Sequence, residues 1–68
     1  MIKYSVDIRE ESLEAFENVI ELLPQAKITA TNNTSTPWEI EAHVDSEVDL
    51  SSLFDYFDPV VFYSSEEV

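Results

Sequence analysis

Apolar and polar residues alternate from the second position of the chain. Ile2, Tyr4, Val6 and Ile8 fall on one side of an extended segment, and Lys3, Ser5 and Asp7 on the other. A period of two marks a strand with one face buried. Over residues 10–23 the period changes. Leu13, Phe16, Val19, Ile20 and Leu23 form one apolar stripe, while Glu10, Glu14, Glu17 and Glu21 form a second stripe opposite. This spacing predicts an amphipathic helix. Asp7 or Ser12 is its candidate cap, its early glutamates suit the positive end of the helix dipole, and Pro24 ends it.

Alternation resumes over residues 26–31, with Ala26, Ile28 and Ala30 inward, and is cleanest over residues 38–45, with Trp38, Ile40, Ala42 and Val44 inward. The polar run Asn32–Thr36 between them reads as the turn of a hairpin. Its two overlapping glycosylation sequons are explained by that turn chemistry. Leu50, Leu53, Phe54 and Phe57 share one face of a short helix over residues 49–57, which Asp58-Pro59 breaks. Val60–Tyr63 is a short apolar strand, placed at a sheet edge because Pro59 lacks a ladder donor. Residues 64–68 read as a frayed acidic tail. The expected fold is therefore α+β and a single domain over residues 1–68. A four-stranded, mainly antiparallel sheet has one long and one short helix on one face, in the order β-α-β-β-α-β of a reduced ferredoxin-like split βαβ unit.

Composition adds a constraint on stability. A chain of 68 residues buries only about 60% of its unfolded surface. Small domains often add a disulfide or a structural metal. With no cysteine and one histidine, neither is expected, nor is any cofactor. Apolar packing must suffice, with a homodimer interface as one possible aid. There is no glycine, so the turns rest on Asn, Asp, Ser and Pro.

Charge changes the picture most. Fifteen acidic residues against three basic ones give a net charge of −12, beyond the magnitude of about 2–8 that solubility asks of a small domain. Self-repulsion costs stability, which suggests a use for the charge. It argues against direct binding to nucleic acid or to an anionic membrane, because both require basic patches. The N-terminal MIKYSVDIREE lacks the apolar core of a signal peptide, and no segment approaches the span of about 20 apolar residues a bilayer needs. The expected location is the cytoplasm, the host cytoplasm if the chain is phage-encoded.

The glutamate stripe is the strongest single feature. A merely solvated helix face usually interleaves lysine to gain favourable i,i+4 pairs, whereas this one sets like charges about 5–6 Å apart. Duplex DNA carries one charge per about 1.7 Å of axis, so a mimic of it would need further carboxylates such as Asp55, Asp58, Glu66 and Glu67 on the same side. Tyr56, outward between Asp55 and Asp58, is a candidate anchor. Asp45-x-Glu47-x-Asp49 has the opening rhythm of a calcium loop, but Leu50 and Tyr56 stand where Gly and Glu are needed. Strand-end and cap carboxylates explain it, and no metal site is expected. His43 between Glu41 and Asp45 lacks a paired nucleophile or a phosphate loop and reads as a surface histidine. Trp38 is assigned to the core or its edge.

These features point to a binding protein and not to an enzyme. The expected function is a small inhibitor or regulator that occupies a basic, nucleic-acid-binding surface of another protein through Glu10, Glu14, Glu17, Glu21, Asp55, Tyr56 and Asp58. In size and charge the chain resembles phage-encoded antagonists of host or defence nucleases. The alternative is an antitoxin or assembly module bound through an aromatic patch or sheet edge, its charge serving solubility.

Overall fold

The computed structural model describes all residues from Met1 to Val68. Four strands, β1 (Ile2–Arg9), β2 (Ala26–Asn33), β3 (Glu39–Ser46) and β4 (Val60–Glu67), form one sheet in the order β2-β3-β1-β4. Every neighbouring pair is antiparallel. Two helices, α1 (Leu13–Glu21) and α2 (Ser51–Tyr56), complete the β-α-β-β-α-β order. This is the split βαβ topology expected. Alternation places the interior strands in the middle. Tyr4, Val6 and Ile8 of β1 and Ala42 and Val44 of β3 are buried under Phe16, Ile20, Leu50 and Phe54 of the helical layer.

Aromatic packing joins the layers. The rings of Tyr4 and Phe54 meet edge to face with centroids 5.0 Å apart. Phe54 also lies 6.0 Å from Phe16 and 5.3 Å from Tyr63, and Phe16 lies 6.1 Å from Phe57. Such pairs are worth about 0.5–1.5 kcal/mol each beyond the area they bury. The Tyr4 hydroxyl accepts the Leu50 N–H at 2.8 Å and donates to Asp49 Oδ1 at 3.2 Å. Asp49 Oδ1 also accepts the Ser51 N–H at 2.8 Å and the Ser51 hydroxyl at 2.6 Å. One carboxylate thus starts α2 and ties it to the central strand. The Ser51 hydroxyl and N–H, aided by Tyr4, hold the Asp49 carboxyl below its usual range. Burial raises the Tyr4 phenol, and the hydrogen bond to Asp55 raises that of Tyr63. Buried Ser46 exchanges two hydrogen bonds with the backbone of Val48, and no buried side-chain polar atom lacks a partner.

Several expectations are corrected. The first helix is split: Glu10–Ser12 form a tight 3-10 turn and the α-helix runs only from Leu13 to Glu21. Neither proposed cap is used. Ser12 makes no capping bond, and Asp7 lies within β1, opposite Glu41. The predicted tail is not frayed. β4 continues to Glu67 along the start of β1, and the Val68 N–H bonds the Met1 carbonyl. Its serines and glutamates concealed this because an edge strand can form with little apolar content. Ala30 points outward and not inward, because a bulge between Ile28 and Ala30 brings Ala30 opposite His43. Trp38 is neither core nor strand. It is 80% exposed, and it is the one non-glycine residue with positive φ, at 75°.

A positive φ at a bulky residue costs about 1–3 kcal/mol. Trp38→Gly removes that strain while losing little packing, so a net gain of about 1 kcal/mol is expected after the entropy of glycine is counted. The melting temperature should rise by about 4–8 °C; a fall would show that the indole supports the fold.

The titrating groups give a second expectation. A depressed Asp49 pKa contributes stability that is present above its unfolded value and lost as pH falls through the folded one. The raised phenols of Tyr4 and Tyr63 contribute stability that is present below their unfolded values and lost as pH rises through the folded ones. The unfolding free-energy gap between wild type and Asp49→Asn should shrink below about pH 4, and that between wild type and Tyr63→Phe above about pH 10. Gaps constant across pH in urea titrations would contradict both assignments.

Candidate functional site

All three basic residues lie on strands, on the sheet face turned away from the helices. Lys3 stands between Asp45 and Glu66, Lys27 opposite Asp45, and Arg9 opposite Glu39. This register sets opposite charges beside one another, although the only ion pair within 4.0 Å is His43–Glu41. The helical layer and its connections contain no Lys or Arg. They carry Glu10, Glu11, Glu14, Glu17, Glu21, Glu47, Asp49, Asp55 and Asp58, all exposed. Glu66 and Glu67 lie instead on β4, with Glu66 beside Lys3. The molecule is therefore electrically two-sided, with a mixed sheet face and a helical side whose own charged residues are all acidic; Lys27 and Arg9 reach its margins, where they line hollows with Glu17 and Glu21 and with Glu10 and Glu11.

The expected contact residues all fall on or beside the acidic side, with differences of detail. Glu14, Glu17 and Glu21 project from α1, and Glu17 and Glu21 wall a groove of about 410 Å³ against β2. Glu10 belongs to the 3-10 turn and so is displaced from the helical stripe. Asp55 accepts the Tyr63 hydroxyl at 2.8 Å, which fixes its carboxylate. Tyr56 is 88% exposed, and Asp58 is exposed between α2 and β4. Phe16 packs against both Phe54 and Phe57, so the two helices share one layer.

Two groupings escaped the sequence reading. The first is a hollow of about 590 Å³ lined by Arg9, Glu10, Glu11 and Trp38. The Glu10 N–H donates to the Trp38 carbonyl at 2.7 Å, joining residues 28 positions apart in sequence. A Pro-Trp pair after a polar turn was the available signal, but unbroken alternation into the third strand masked it. The second is Ser5, His43 and Glu41. Glu41 Oε1 lies 2.7 Å from His43 Nε2, and Ser5 Oγ lies 3.3 Å from His43 Nδ1. Ser5 faces His43 directly across the ladder. Such a line resembles a nucleophile, base and carboxylate. It lies on an open face between two interior strands, whose backbone N–H groups are committed to ladders on both sides. The trio links β1 to β3 across the outer face of the sheet.

No group of three or more His, Cys, Asp or Glu side chains converges to hold a metal. Asp49 is turned toward Tyr4 and Ser51, and Asp45 stands in register with Lys3 and Lys27. No helix is long and apolar enough to cross a membrane. No protein-family model, curated protein or solved structure matches the chain.

An acidic side with counter-charge only at its margins makes stability sensitive to ionic strength. Raising NaCl from about 0.01 to about 0.5 M shortens the screening length well below the size of the domain. The melting temperature should therefore rise by several degrees. A fall would mean that the dispersed cross-strand attractions outweigh repulsion along the helices.

Proposed function

We propose that the protein is an inhibitor or regulator that occupies a basic, nucleic-acid-binding surface of another protein. The observation that carries this reading is the segregation of charge. All three cations belong to the sheet face, while the helical side presents carboxylates alone. A solubility role would be served equally by mixed charges, whereas a one-signed face steers and aligns an oppositely charged partner. A phage-encoded antagonist acting in host cytoplasm fits this chemistry. Catalysis is no part of the reading, and neither is direct contact with nucleic acid or membrane.

A second reading, an antitoxin or assembly module, draws on the exposed aromatics. Tyr56 caps the acidic side, and Phe62 on the edge strand β4 is 63% exposed. An exposed edge strand can accept a partner strand.

The two separate in one experiment. The immobilised protein is offered bacterial lysate over a salt ladder, and captured proteins are challenged with duplex DNA. The charge reading expects capture that is lost at high salt and displaced by the duplex. Glu14→Gln with Glu17→Gln should weaken it about tenfold at low salt, chiefly through association rate, while slightly stabilising the free protein by relieving repulsion. Tyr56→Ala should then change little. Salt-resistant capture, lost with Tyr56→Ala and indifferent to the glutamine pair, would replace the charge reading with the second.

A further inference from the structure

Trp38 combines three features that are unfavourable for a side chain with no partner. It is the only tryptophan, its backbone is strained at φ 75°, and its ring is 80% exposed. Indoles normally bury most of a large apolar surface. The loop beneath it is nonetheless well held. The Thr34 hydroxyl accepts the Thr36 N–H at 3.1 Å and lies 2.9 Å from the Thr36 carbonyl and 3.3 Å from that of Glu39. The Glu39 N–H donates to the Thr36 carbonyl at 3.4 Å, and Pro37 restricts the residue before the indole. The 2.7 Å bond from the Glu10 N–H to the Trp38 carbonyl fixes this loop to the acidic turn. The backbone that carries Trp38, Glu10 and Glu11 is thus held around one hollow, which lowers the entropic cost of binding there.

The lining of that hollow indicates its occupant. Two carboxylate residues, Glu10 and Glu11, and one cationic residue, Arg9, line this space of about 590 Å³, so the hollow retains negative charge. An apolar segment would leave those carboxylates desolvated. A second copy would bring its own net charge of −12. A guanidinium satisfies all the walls at once, because it stacks flat on an indole face and bonds carboxylates through its planar fork. An ammonium offers a point charge without the stacking plane.

We propose that Trp38, Glu10 and Glu11 form a clasp for an arginine side chain presented by a protein partner. The clasp deepens the charge reading above, rests on its basic partner, and supplies that reading with an anchor near the edge of the acidic side.

The lone tryptophan reports directly on the site. Hexa-arginine and hexa-lysine, equal in charge, are titrated into the isolated protein at low salt while emission is followed, with calorimetry in parallel. Hexa-arginine should shift Trp38 emission saturably and bind about tenfold more tightly than hexa-lysine. Glu10→Gln with Glu11→Gln should abolish that preference. Trp38→Gly should abolish it in calorimetry while melting higher than wild type, so that lost binding is not misfolding. Glu14→Gln with Glu17→Gln should weaken both peptides alike and keep the preference. Equal binding of the two peptides without an emission change overturns the clasp but leaves the basic-partner reading intact. Binding of neither peptide overturns both. A concentration-dependent blue shift with no peptide present overturns the clasp in favour of self-association.

Discussion

The hold of Tyr4 on the start of the second helix is the interaction on which the rest of the fold depends. A six-residue helix has too few internal hydrogen bonds to persist alone. It is retained because the Tyr4 ring packs edge-on to Phe54 while the Tyr4 hydroxyl lies between the Leu50 N–H and the Asp49 carboxylate. Phe54 then supports Phe16, through which the first helix is carried, and Tyr63, through which the edge strand is carried. In a chain without cysteine, and with no converging set of metal ligands, this one side chain of a central strand couples both layers.

The same coupling permits the distribution of charge. Repulsion among Glu14, Glu17 and Glu21 weakens the first helix from within, since like charges at i,i+3 and i,i+4 spacing oppose helix formation. The helices persist because their apolar faces are held by rings, not by their own surface pairs. The sheet is under the opposite regime. There each of the three cations has a carboxylate opposite it in the ladder, and cross-strand neighbours of opposite sign are mildly favourable. Compensation on one face and its absence on the other give the molecule a direction, which an evenly spread charge of −12 would not.

Much of this was legible in the sequence because burial on one face imposes a period. Ile2 to Ile8, Phe16 and Ile20, Ala42 and Val44, and Leu50 and Phe54 each declared their side. What failed was whatever breaks a period. A single bulge after Ile28 reversed the facing of Ala30, and no residue type marked it, since the chain has no glycine to signal irregular backbone. Trp38 continued the parity of Ile40 and was assigned inward, although the strand begins only at Glu39. The polar end of β4 concealed a strand that is paired on one side alone. The seven expected contact residues were chosen by charge and pattern, and the structure leaves all seven exposed, which local pattern does report. Glu11 and the hollow beside Trp38 required knowing that residue 10 bonds residue 38, a contact that periodicity cannot express.

One of the places where periodicity misleads, Trp38, is also where the structure spends stability. At other positions φ is negative, the buried polar groups are paired, and aromatic contacts close the core. At Trp38 a large apolar ring is left in solvent on a strained backbone, held by a loop with its own hydrogen bonds and a 2.7 Å tie to the acidic turn. Random drift would tend to relax such a site, because a smaller residue or glycine there would cost the fold little. Strain that is over-determined by its surroundings is characteristic of positions arranged for recognition. In this chain the position borders the side where negative charge is uncompensated, so the conformational cost and the electrostatic cost fall at adjoining places. A purely structural account would have to explain two separate departures from stability. A basic partner that reaches the acidic layer and inserts one arginine beside the indole explains both with a single contact.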